Sequence, residues 1–198
     1  MNLSLRTRGL VICAISAVVC GVLAGAFGQQ LLAIPFLGSL FMPTAMPLPV
    51  IPALLLSVIL GANISGAKRS WMFGAVRNIW AHSTGFALGI LLLGTIVCAL
   101  TAVLAGTGQF PTVLFVRDLA SLVSLWLVGI LFGLGSTATV VPVAYVAFSS
   151  VFARSKNAEF YPWAWIMQPH PYSWFGIASI VAGVLAAGLL IKRRKALR

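Results

Sequence analysis

Long apolar tracts separated by short basic clusters organise this chain. No residue between Arg8 and Lys68 carries a formal charge, and similar uncharged tracts continue to the C-terminus. Bilayer hydrocarbon is about 30 Å thick and takes roughly 20 apolar residues as a helix, so the first tract is too long for one crossing. Its apolar run from Gly9 to Phe27 reads as one span. Residues 29–49 hold Gln29, Gln30, Pro35, Pro43, Pro47 and Pro49, a proline density that no continuous helix carries. The whole chain, 1–198, is expected to be a single transmembrane domain of the all-α class, a polytopic helical bundle with spans at about 9–27, 49–65, 81–105, 119–135, 136–152 and 173–191.

The uncharged residues 119–153 read either as one very long helix or as two short arms turning near Gly133-Leu134-Gly135-Ser136. Two arms give six spans with both termini cytoplasmic. Arg6, Arg8, Lys68, Arg69, Arg77, Lys192, Arg193, Arg194, Lys195 and Arg198 then lie inside and Arg117, Arg154 and Lys156 outside, ten basic residues against three. One long helix gives five spans and a split of seven against six. The excess of Lys and Arg in cytoplasmic loops favours six.

Composition strengthens the membrane assignment: 61% of residues are hydrophobic, 8% are charged, and Asp118 and Glu159 are the only acids. So little charge cannot cover a water-soluble surface. The formal charge of +11 sits at the ends of apolar segments, which fits orientation and contact with anionic membrane lipid and not a nucleic-acid partner. The expected location is the plasma (inner or cytoplasmic) membrane, as a multi-pass protein. Ala24-Gly25-Ala26 has the small-x-small form of a signal-peptidase site, but the run before it exceeds the core of about 7–15 residues in a signal peptide, so an uncleaved first span is expected. Cys13, Cys20 and Cys98 fall inside apolar tracts with no CxxC spacing and read as small core residues. Glycines four apart at Gly21/Gly25, Gly85/Gly89 and Gly129/Gly133 allow close helix packing, read here as contacts within one bundle.

Three segments are neither spans nor minimal turns. Between Gly66 and Trp80 the apolar residues Trp71, Met72, Val76, Ile79 and Trp80 recur near helical spacing with Lys68, Arg69 and Arg77 elsewhere. That pattern suits a short amphipathic helix at the membrane surface, either a lipid-anchored stop or a docking element. From Arg154 to Tyr172 the chain carries Glu159, Tyr161, Pro162, Trp163, Trp165, Met167, Gln168, Pro169, His170 and Pro171. An interfacial aromatic belt is the default reading, and the prolines allow a re-entrant or surface-lying alternative. Residues 29–49 are apolar enough to lie on or dip into the outer leaflet.

No catalytic constellation stands out: HExxH, GxxxxGK[ST] and GxSxG are missing from the sequence, and His82 and His170 read as interfacial side chains. The expectation is therefore a protein that is not an enzyme and needs no cofactor or metal. Arg117-Asp118 is read as opening the fourth span, where adjacent positions do not share a helix face and a cap-and-anchor role follows. On these bounds no span interior holds an ionisable residue, which argues against proton- or ion-coupled transport and for an outside energy source.

This order of parts resembles the permease subunits of type-2 ABC exporters. In the C-terminal half, Val116-Arg117-Asp118-Leu119-Ala120, Pro142-Val143-Ala144-Tyr145 and Trp163-Ala164-Trp165 also resemble runs in small actinobacterial membrane proteins of this kind. The resemblance implies six spans, a coupling helix between the second and third, and re-entrant pieces between the fifth and sixth. Lys68, Arg69, Trp71, Phe73 and Arg77 would then face a separate cytoplasmic ABC ATPase, and Glu159, Tyr161, Trp163, Trp165 and His170 would belong to the outer element. A second permease copy or a related permease would complete the pathway, and the cargo would be hydrophobic or peptide-like. One departure is that only eight residues precede Gly9, where such exporters begin with a longer interface helix. The alternatives are a substrate-capturing membrane subunit of a vitamin importer and a non-transport accessory protein.

Overall fold

A computed structural model of the chain describes residues 3–33, 45–71, 79–154, 159–170 and 174–195. Among these lie α1 (Leu3–Phe27), α2 (Val50–Trp71), α3 (Ile79–Leu104), α4 (Phe110–Leu131), α5 (Val140–Phe152) and α6 (Trp174–Lys195). Two short strands, β1 (Leu31–Ala33) and β2 (Ala45–Pro47), pair antiparallel with Leu32 opposite Met46. This small ribbon modifies the all-α expectation, and it occupies part of the proline-dense stretch that a helix could not use.

Proline and glycine set the helix ends. Pro111 lies in the first turn of α4, where an N–H would have no intrahelical partner in any case. Pro52 and Pro142 sit likewise in the first turns of α2 and α5. At the end of α3, the Thr107 N–H donates to the Ala102 carbonyl and the Gly106 N–H to Val103, with Gly106 at φ 68°. The end of α4 repeats this closure, with Leu134 donating to Gly129, Gly133 donating to Ile130 and Gly133 at φ 88°. Both are Schellman ends, which need a left-handed residue that glycine adopts without strain. Residues 119–153 therefore belong to two helices, joined by a 3-10 turn at Gly135–Thr139. The first of them starts at Phe110, upstream of the expected 119.

Close approaches fix the helix directions. A Cβ on Gly21 would lie 2.7 Å from the Gly94 carbonyl oxygen, and one on Gly25 would lie 2.5 Å from that of Cys98, so α1 and α3 run parallel with their backbones nearly touching. The Thr107 hydroxyl donates to the Gly25 carbonyl at 2.9 Å across that contact. Gly176 faces Arg117 and Gly183 faces Ser124, so α4 and α6 are also parallel. Gly9 meets Asn63, while Ala17 and Leu56 share a level at Gly94, which sets α2 antiparallel to α1. Directions thus alternate along the chain. The start of α1, the end of α2, the start of α3, the α4–α5 turn and the end of α6 gather at one end of the bundle.

The interior is formed by Leu56 and Leu60 of α2 and by Phe115, Leu119, Leu122 and Trp126 of α4, all buried. The outward faces are apolar as well: Leu92 is 62% exposed, Val103 74% and Val184 67%. Among the described residues four stretches are helical, long and apolar enough to cross a membrane, Gly9–Phe27, Gly85–Leu104, Phe110–Leu131 and Gly135–Phe152, and Val50–Ile64 and Gly176–Leu189 are shorter apolar helices. Apolar side chains inside and outside make this a membrane-embedded helical bundle.

Candidate functional site

The early start of α4 changes the status of its charged pair. Seven residues separate Phe110 from Arg117, about 10 Å along the axis at 1.5 Å per residue, so the pair lies within the helix and not at its opening. Arg117 is 6% exposed and Asp118 is fully buried. A cap-and-anchor role does not fit this placement, and the expectation that no span interior holds an ionisable residue is corrected by it. The two side chains also meet despite being adjacent. The arginine stem curls back, so that Nε donates to Asp118 Oδ1 at 2.8 Å and Nη2 stands 2.7 Å from the same oxygen. A flexible three-methylene stem spans the angle between neighbouring helix positions, which shorter side chains cannot do.

Arg117 spends its remaining donors on the chain between α5 and α6. Nη1 and Nη2 each donate to the Gln168 carbonyl at 3.3 Å, and Nη1 also donates to the carbonyl of His170. This is a use of the guanidinium fork that a lysine could not reproduce, because several N–H groups point from one plane.

The segment it holds, residues 159–170, folds back onto the bundle. An isolated bridge pairs Arg154 with Phe160, and Tyr161 N–H donates to the Ala153 carbonyl at 2.9 Å, turning the chain directly after α5. Pro162–Met167 then forms a 3-10 segment kinked at Ala164 (φ −93°, ψ 38°). Its residues Ala164, Trp165, Ile166 and Met167 are buried, and it also touches β2. The Tyr145 hydroxyl of α5 donates to the Trp163 carbonyl at 2.8 Å, and the Tyr145 ring stacks on Trp165 with centroids 4.7 Å apart. On the α6 side, Gly176 permits the approach: a Cβ there would stand 3.3 Å from Trp165 Cδ1 and 3.6 Å from Arg117 Cγ. Arg154 covers the Phe160 ring at 4.5 Å.

Several buried polar atoms around this contact have no hydrogen-bond partner among the described residues: Asp118 Oδ2, Ser121 Oγ, Ser149 Oγ and Trp165 Nε1. Asp118 and Ser121 are three apart on α4 and share a helix face. Each unmade buried hydrogen bond costs about 1–3 kcal/mol, so the packed segment is held against an opposing desolvation cost. Among the described residues no group of His, Cys, Asp and Glu is arranged to hold a metal ion.

The expected outer residues divide accordingly. Trp165 lies in the packed centre, Trp163 is half-buried, and His170 contributes its carbonyl while its side chain is exposed. Glu159 and Tyr161 are exposed at the rim. Of the expected coupling residues, Lys68, Arg69 and Trp71 belong to the last turns of α2, and Phe73 and Arg77 lie outside the described residues. Tyr145, Gln168 and the Arg117–Asp118 pair complete the site without having been singled out for it. The available signal was Pro111: a first-turn proline six positions before Arg117 places the pair inside a helix, where a charge demands explanation. Comparisons with protein-family models, curated proteins and solved structures return no match.

Proposed function

We propose that this chain is the membrane subunit of an ABC-type exporter, crossing the cytoplasmic membrane six times and coupling a separate cytoplasmic ATPase to movement of a hydrophobic or peptide-like substrate. What supports the reading is the alternation of helix direction, which brings the α2–α3 connection to the same end as the start of α1 and the end of α6, and sends residues 159–170 back into the opposite end. In this reading the basic residues near the first end make it cytoplasmic. Lys68, Arg69, Trp71, Phe73 and Arg77 form the contact with the ATPase, and a second copy or a related permease completes the pathway. The two shorter apolar helices, Val50–Ile64 and Gly176–Leu189, serve as the second and sixth crossings.

The test is purification of the tagged protein from its native membrane in mild detergent, with ATPase activity measured on the eluate. The expected result is a co-purifying ATPase that Lys68→Glu, Arg69→Glu and Arg77→Glu together release. Recovery of the protein without ATPase, under conditions that keep other membrane complexes intact, would overturn the proposal and favour a capture or accessory subunit.

A further inference from the structure

We infer that Arg117 and Asp118 form a latch that keeps residues 159–170 docked, and that release of this latch opens the α4–α5–α6 seam at that end of the bundle. Three observations carry it. First, the end of the docked segment beyond its 3-10 turn is held from outside: Pro169 supplies no N–H, and the carbonyls of Gln168 and His170 are met by Arg117. Second, Asp118 orients that arginine by taking Nε and Nη2 on one oxygen, leaving Nη1 and the second bond of Nη2 for the segment. Third, docking leaves Asp118 Oδ2, Ser121 Oγ and Trp165 Nε1 buried and unpartnered among the described residues, and water would satisfy all three on opening. The unmade hydrogen bonds oppose the closed state and make opening less costly than it would be for a uniformly apolar contact. Arg117 is thus a positioning residue acting through the carbonyls it holds.

The inference deepens the permease reading, for which it supplies the outer closure, but its test needs no ATPase. Ile166 is a fully buried residue of the docked segment itself, so Ile166→Cys reports docking, and native Cys13, Cys20 and Cys98 are buried in the bundle and report general unfolding. Purified protein in lipid nanodiscs is treated with a membrane-impermeant maleimide, and labelling at each cysteine is followed by mass spectrometry. Adding Arg117→Gln or Asp118→Asn should raise the rate at position 166 at least tenfold, with the native cysteines unchanged. Arg117→Lys, which keeps the charge and loses the fork, should give a smaller rise confined to the same position. A rate at 166 within twofold of the parent in Arg117→Gln would overturn the latch. If Arg117→Gln exposes the native cysteines as well, Arg117→Lys decides: a rise at 166 alone supports the latch, and no rise or a parallel rise at all four overturns it. A latch that responds while no ATPase co-purifies would survive the loss of the permease reading, and the reverse result would leave that reading intact.

Discussion

Arg117 illustrates how much a single side chain can be asked to hold in an apolar interior. Its charge is cancelled by its neighbour, and its other donors fasten two main-chain carbonyls more than fifty positions away. Breaking a buried pair by removing one partner leaves an uncompensated charge and costs about 3–5 kcal/mol. Arg117→Gln and Asp118→Asn should each lower the unfolding midpoint in an SDS titration by a corresponding margin. The double substitution Arg117→Met with Asp118→Leu removes both charges and should cost less than Arg117→Gln alone. It should not be neutral, because the Gln168 and His170 carbonyls still lose their donor, at about 1–3 kcal/mol. A double variant as unstable as the single one would mean that the carbonyls, and not the ion pair, dominate.

Among the elements, the helix breaks were legible and the folded-back segment was not. Gly106 and Gly133 end helices through a local backbone requirement, and each is followed two positions on by a second glycine, Gly108 and Gly135, a pairing that the mid-helix glycines Gly94, Gly129 and Gly183 lack. Residues 159–170 form no periodic pattern, and their position depends on Tyr145, Arg117 and Gly176 from three other elements. The aromatic content of that stretch suits an interfacial belt equally well, which is why Trp165 and Tyr161 could not be told apart before their burial was known. Glycine spacing carried a similar ambiguity. Gly21 and Gly25 press against α3, whereas a Cβ at Gly85 or Gly89 meets nothing within 4 Å. Gly25→Val should therefore destabilise by at least the 1–3 kcal/mol of an overpacked contact. Gly89→Ala should be neutral or stabilise by up to roughly 1 kcal/mol through helix propensity. Thermal unfolding in one detergent compares both. Gly133→Val should also lose stability, since a β-branched residue is strained at φ 88°.

At the scale of the molecule, alternating helix directions yield an experimental signature. In a six-crossing arrangement, reporter fusions at the C-terminus and at residue 78 should behave alike, and a fusion after residue 107 should behave oppositely. A green fluorescent protein that is bright at the first two sites, with alkaline phosphatase active only at the third, is the expected outcome. Equal behaviour at all three sites would require the helices to be inserted differently. The apolar outer faces of α3 and α6 also predict rapid aggregation on detergent removal and retention in solution when lipid nanodiscs are supplied, measured by size-exclusion chromatography.

The parallel contact between α1 and α3 has a further consequence for how the protein is made. The Gly21 and Gly25 carbonyls receive hydroxyl donors from Thr101 and Thr107, 80 and 82 positions downstream. At roughly 5–20 residues per second of synthesis, the first helix waits several seconds on the ribosome's schedule before its partner emerges. Its notch of small residues meanwhile has only lipid or another nascent segment to fill it. Biogenesis is therefore most exposed to error in this interval, and slowing translation between codons 28 and 107 should lower the yield of folded protein more than the same delay placed after codon 131.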